Sequence, residues 1–118
     1  MGEIKANRTT ENNPPPANSA TELKIWSILQ SVVDPELHYN IVDLGLVYGV
    51  DFAAGEARIR MTLTSPGCPY GPYLIHETRQ AVKSVGGVEK VNIELVWDPP
   101  WGPARMTEEI RLEMGFDI

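Results

Sequence analysis

Ala57-Arg58-Ile59-Arg60-Met61-Thr62-Leu63-Thr64-Ser65-Pro66-Gly67-Cys68-Pro69-Tyr70-Gly71-Pro72 is the stretch from which the fold is read. Ala57, Ile59, Met61 and Leu63 alternate with Arg58, Arg60, Thr62 and Thr64, the period of a half-buried strand, with the second set on a solvated face or in a polar groove. Pro66, Pro69 and Pro72 then fix φ and remove backbone donors, while Gly67 and Gly71 permit positive φ, so the strand must give way to a loop. After it, Leu74, Thr78, Ala81 and Val85 share one helical stripe, with Ile75 and Val82 beside it. Cys68, the one cysteine of the chain, therefore falls between a strand end and a helix N-terminus. Unpaired N–H groups and the positive end of the helix dipole favour an anion there, which marks Cys68 as a candidate ligand or nucleophile.

Working outward, Leu46 to Phe52 reads as a strand that returns through Ala53-Ala54-Gly55-Glu56, a short hairpin connection, so the first two strands are antiparallel. Gly86-Gly87 stops the central helix, and Val88, Val91, Ile93, Leu95 and Trp97 alternate as a third strand, parallel to the second across a helical crossover. Upstream, Ser19-Ala20-Thr21-Glu22 has the form of a capping box. A helix follows in which Leu23, Trp26, Leu29 and Val33, joined by Ile25, Ile28 and Val32, form the apolar face, Glu22 lies on the polar side, and Asp34-Pro35 ends it. A last short helix begins at Thr107, with Met106, Ile110 and Met114 on one side. The order helix, strand, strand, helix, strand, helix implies an α+β domain: a two-layer sandwich with a three-stranded mixed sheet. Residues 1–18, polar and ending in a proline run, are expected to be a flexible tail, and residues 19–118 the domain.

With 118 residues, 42% apolar and 22% charged, the composition is that of an ordinary soluble domain. Ten basic against sixteen acidic residues leave a net charge of −6, with the cations scattered, which argues against nucleic acid as a partner. The chain has no apolar segment approaching a membrane span, and a lone cysteine cannot close an internal disulfide, so a cytoplasmic setting is expected.

The chemistry-bearing residues lie in two places. One is the Cys68 loop. The other is the connection from Asp34 to Leu46, which holds Asp34, Glu36, His38 and Asp43. Taken singly, Asp34 capping the next turn and Glu36 and Asp43 being solvated or capping backbone groups is the plainer reading. Taken together with Cys68, they could hold a soft or borderline metal. A site built on one thiolate without a CxxC partner must be completed by another molecule, as in a transient carrier. Cys68 with His38 as base and Asp43 or Glu36 as orienting carboxylate would instead make a cysteine-dependent hydrolase or transferase. A buried, inert cysteine in a protein-interaction adaptor is the third reading.

Asp34-Pro35-Glu36, then Asn40-Ile41-Val42-Asp43-Leu44-Gly45-Leu46-Val47-Tyr48, then Leu63-Thr64-Ser65 with Cys68-Pro69, then Pro99-Pro100-Trp101 together resemble the SufT/PaaD-type family of metal-sulfur cluster assembly domains. The resemblance implies a compact α+β domain, not an enzyme, that serves iron-sulfur cluster assembly or maturation through Cys68. An iron-sulfur cluster or iron would be bound transiently, and the partners would be scaffold proteins and client apoproteins. The PaaD branch carries a Cys-rich C-terminal extension not seen before Ile118, so the single-domain members are the expected kin. Asp34, Glu36, Asp43, Thr62, Thr64, Ser65, Pro69 and Trp101 are the expected pocket around the sulfur. Exposed apolar strand edges and a shared ligand set are compatible with a homodimer.

Overall fold

A computed structural model describes residues 20–115, so the expected tail and Ser19 of the capping box lie outside the described residues. The elements are α1 (Ala20–Leu29), β1 (Val47–Ala53), β2 (Glu56–Met61), α2 (Gly71–Lys83), β3 (Lys90–Leu95) and α3 (Glu108–Met114), with a 3-10 turn at Pro103–Arg105 before the last helix. The sheet order is β1-β2-β3. β1 runs antiparallel and β3 parallel to the middle strand, the expected mixed sheet.

The β1–β2 hairpin turns on Ala54 and Gly55, both at positive φ (52° and 80°), which matches the twist of the strands it joins. Across the sheet, Val50 pairs with Ile59 and Ile59 with Ile93. Ala57, Ile59 and Met61 are sealed from solvent on that face beneath Ile25 and Leu29 of α1 and Leu74 and Val82 of α2. α1 packs against β1 and α2, and α2 against β3, so both helices cover one side of the sheet. On the other side the register sets Asp51 beside Arg58, Glu56 beside Lys90 and Arg60 beside Glu94, all open or partly open to water.

α1, Thr62 and Trp97 differ from expectation, the last because β3 ends at Leu95 and leaves it 43% exposed. α1 stops at Leu29 rather than continuing to Val33; Gln30, Ser31 and Val32 donate instead to carbonyls three residues back, and the Ser31 hydroxyl takes the Ile28 carbonyl, competing with the helical ladder. Its buried stripe is Glu22, Ile25 and Leu29, while Leu23 and Val33 are 58% and 46% exposed. Glu22 is drawn in because its carboxylate accepts the Phe52 N–H on the outer edge of β1 (3.0 Å). Thr62 likewise leaves the polar row of Arg58 and Arg60. β2 ends at Met61, the Thr62 amide donates to Leu46, and the side chain is fully buried.

The chain beyond β3 is strapped over the segment between α1 and β1. Trp101 Nε1 donates to the Leu44 carbonyl (2.7 Å), the Thr107 amide to Asp43 (3.0 Å), the Tyr48 hydroxyl to Pro99 (2.7 Å) and the Tyr39 hydroxyl to Glu113 (2.6 Å). The Arg105 guanidinium lies 4.2 Å from the Tyr48 ring centroid. Gly45 makes this closeness workable: at φ +79° it faces the Arg105 backbone, where any Cβ would collide. Thr107 caps α3 by accepting from the Ile110 amide, and Gly115 closes it in the left-handed region.

Gly45→Ala is expected to cost about 2 kcal/mol or more, from the forced φ and the contact with Arg105, and chemical denaturation checks it. The Glu113 carboxylate bonded to Tyr39 raises that phenol above 10.0, with desolvation and the charges of Glu113 and Glu109 adding in the same direction. The neutral phenol is the form the fold favours. Its stabilising contribution is thus intact below the unfolded value and is lost as pH rises through the higher folded one. Glu113→Ala should bring the Tyr39 titration, followed by ring-carbon NMR, back toward that of a free tyrosine.

Candidate functional site

The cysteine loop is built from two tight turns that share one residue. The Cys68 amide donates to the Ser65 carbonyl (3.1 Å), with Pro66 and Gly67 between, and the Cys68 carbonyl accepts from the Gly71 amide (3.2 Å), with Pro69 and Tyr70 between. A proline at the second position suits each turn because its φ is already set. Neither Gly67 nor Gly71 uses the positive φ open to it. A Cβ at Gly71 would lie 2.9 Å from Leu63 Cδ1, so the position is snug and the Leu63 methyl would have to shift to admit one. Both backbone polar groups of Cys68 are thereby satisfied, and its side chain is half-buried, resting against the core without being sealed in it.

The helix N-terminus behind the loop differs from the expected anion cradle. α2 starts at Gly71, three residues before Leu74, because Pro72 in the first turn sacrifices only an amide that would be unpaired. The Gly71 amide is already taken by Cys68 and Pro72 has none, so the first turn has few donors left to offer.

The acidic connection does not converge on the sulfur as a ligand set. Asp34 is 2% exposed and its Oδ1 accepts from the Glu36 (2.7 Å) and Leu37 (2.9 Å) amides, while its own amide and carbonyl bond Tyr39 and His38. Asp43 is held by Asn40: its amide donates to Asn40 Oδ1 (2.9 Å) and its Oδ2 accepts from Asn40 Nδ2 (3.0 Å). The Asp34 carboxylate therefore acts as a turn cap, the plainer of the two readings, while the Asp43 carboxylate holds the side chain of Asn40, which in turn caps the Asp43 amide. His38 is exposed at φ 68°. Among the described residues, no three His, Cys, Asp or Glu side chains converge as a metal site.

Three of the expected pocket residues do meet. Glu36, Thr64 and Trp101 line a groove of about 300 Å³ together with Leu37, Pro103, Met106 and Met114. Thr64 leads directly into the cysteine loop, in which Ser65 and Pro69 are exposed. Asp34, Asp43 and Thr62 are outside this lining, being committed to turns or to the interior. Leu37, Pro103, Met106 and Met114 were missed. The two methionines carried a signal as the apolar side of the last helix, but that side divides between core and groove: Met106 and Ile110 are buried, Met114 only half so. No helix among the described residues is long and apolar enough to cross a membrane.

The chain is similar to known proteins along most of its length. The chain is 45% identical to the Fe-S protein maturation auxiliary factor of Porphyromonas gingivalis, over 81% of this chain and 92% of that one. It is 40% identical to the Fe-S protein maturation auxiliary factor YitW of Bacillus subtilis, over 82% of this chain and 96% of that one. The crystal structure of a domain of unknown function from Bacillus anthracis superposes with a TM-score of 0.77 at 36% identity, covering 83% of this chain and 94% of that one. Residues 22–95, which run from α1 through β3 and include the Cys68 loop, match the defining pattern of one family, and the chain belongs to it: the iron-sulfur cluster assembly protein family.

Proposed function

We propose that this protein is a maturation factor that lends Cys68 as one exchangeable sulfur ligand to an iron-sulfur cluster, or to iron, in transit to client apoproteins. The observation that carries the reading is the contrast between the sulfur and its surroundings. Cys68 is half-buried, not sealed in the core, on a loop pinned at both ends by its own backbone, with no cluster of protein ligands gathered, among the described residues, to close a site around it. A closed structural site needs about four ligands from the protein itself, whereas a site with one must be completed by the donor or the recipient. That incompleteness suits transfer and not storage. The membership and the maturation role of the relatives support the same reading.

No step of this role requires bond-breaking chemistry by the protein, and of the two carboxylates that could have oriented a histidine base, Asp43 is held by Asn40 while Glu36 stands exposed on the groove. We therefore place the protein among binding and delivery factors rather than enzymes, acting in the cytoplasm with scaffold proteins on one side and client apoproteins on the other.

Cys68→Ser tests this. In cells the variant is expected to leave cluster-dependent client enzymes as inactive as removal of the whole protein does. The purified variant should unfold within about 1 kcal/mol of the parent, since a half-exposed isostere disturbs little. Anaerobically purified parent protein incubated with ferrous iron and sulfide should gain visible absorbance that the variant lacks. Full client activity in cells that carry only the Cys68→Ser variant would end the proposal.

A further inference from the structure

β3 is an edge strand, and its free side is self-complementary. Across the β2–β3 pair, the Lys90 amide donates to Gly55 and the Val96 amide to Met61. The amides of Lys90, Asn92, Glu94 and Val96 therefore point into the sheet, and those of Val91, Ile93 and Leu95 point outward. Among the described residues no strand pairs with that outward row. The strand is six residues long, lies at the rim of the helix-covered face, and leaves Val91, Ile93 and Leu95 only half-buried. On the opposite face Lys90, Asn92 and Glu94 are exposed in the order cation, amide, anion. An unpaired edge of this kind is a template for another strand.

We infer that the occupant is a second copy of this chain, joined antiparallel through β3 about a two-fold axis at Asn92. In that register Val91 of one copy and Ile93 of the other exchange both outward backbone bonds, twice over. Lys90 of each copy stands opposite Glu94 of the other, and the two Asn92 side chains meet on the axis. Lys90, Asn92 and Glu94 are the non-hydrogen-bonded pairs, whose Cα atoms approach to about 4.5 Å, so charge is read strongly there. Sliding the copies by one pairing step sets Lys90 against Val96 and Glu94 against Asn92; sliding by two sets Glu94 against Glu94. Only the register centred on Asn92 pairs opposite charges twice, and it also covers the half-exposed Val91 and Ile93 with one another. The product is a continuous six-stranded sheet with the helices of both copies on one side.

This pairing is independent of the cysteine. Met61 and Leu95 are neighbours at the same end of β2 and β3, and the cysteine loop follows Met61. The two-fold axis therefore sends the two Cys68 loops to opposite ends of the joined sheet, where each meets its own partner and no cluster bridges the pair.

Sedimentation velocity on the full chain over a range of concentrations tests the inference, with folding checked by circular dichroism. The parent protein is expected to show a concentration-dependent dimer, and Cys68→Ser to show the same one. Lys90→Glu gives an edge with two anions and Glu94→Lys one with two cations, so each alone should weaken the dimer about tenfold or more. Mixed in equal amounts, the two variants should recover it, because each anionic edge then meets a cationic one. Recovery cannot come from repaired folding, as each variant keeps its own altered neighbours Glu56 and Arg60. A parent protein that stays monomeric, single variants that dimerise as well as the parent, a mixture that fails to recover, or a dimer lost with Cys68→Ser would each overturn the inference.

Discussion

Burial of one row of side chains on the middle strand and the residues just after it constrains everything else. Ala57, Ile59, Met61 and Leu63 are all inside, and Arg58 and Arg60 are outside. A slip of one residue against either neighbour would exchange these rows and bring two guanidinium groups into the core, so which face of β2 is buried is fixed. That register fixes where β2 ends, the end of β2 fixes where the proline-initiated turns begin, and the turns fix the height at which Cys68 emerges. The sulfur is positioned by a chain of short-range consequences that starts at the hydrophobic strand just upstream.

The fold was legible because its two periods are clean. Alternation in β2 and β3 and the apolar stripe of α2 each had one sensible orientation, and the Ala54-Gly55 hairpin carried a glycine where a positive φ is needed. α1 was harder. With Leu23, Ile25, Trp26, Ile28, Leu29, Val32 and Val33 all apolar, the pattern admits more than one rotation, and the structure selects the one that carries Glu22 to an edge amide of β1. No local pattern announces a carboxylate that is buried to serve a strand so far along the chain. Thr62 failed for a related reason: alternation describes a strand, and at Thr62 the strand has ended.

The candidate site was legible in part. Cys68 stood out through its prolines, and the structure shows why: they hold two consecutive turns around it. The acidic connection stood out as well, but most of its carboxylates prove to be fold chemistry. Asp34 and Asp43 tie down a segment onto which Trp101, Thr107 and Tyr39 then fasten the C-terminal part of the chain. The groove between them is shaped by residues far apart in the chain, Glu36 and Met114 among them, whose proximity depends on Gly45 tolerating the Arg105 backbone.

The shared-turn construction at Cys68 also bears on kinetics. The amide and carbonyl of that residue are both spent on the two turns, while the side chain rests against the core and carries neither of those turn bonds. A ligand can arrive at and leave the sulfur without breaking any main-chain bond, so exchange need not wait for the loop to open. On the proposed role, the rate of handover would then be set by encounter with the other molecule and by the lability of the metal-sulfur bond.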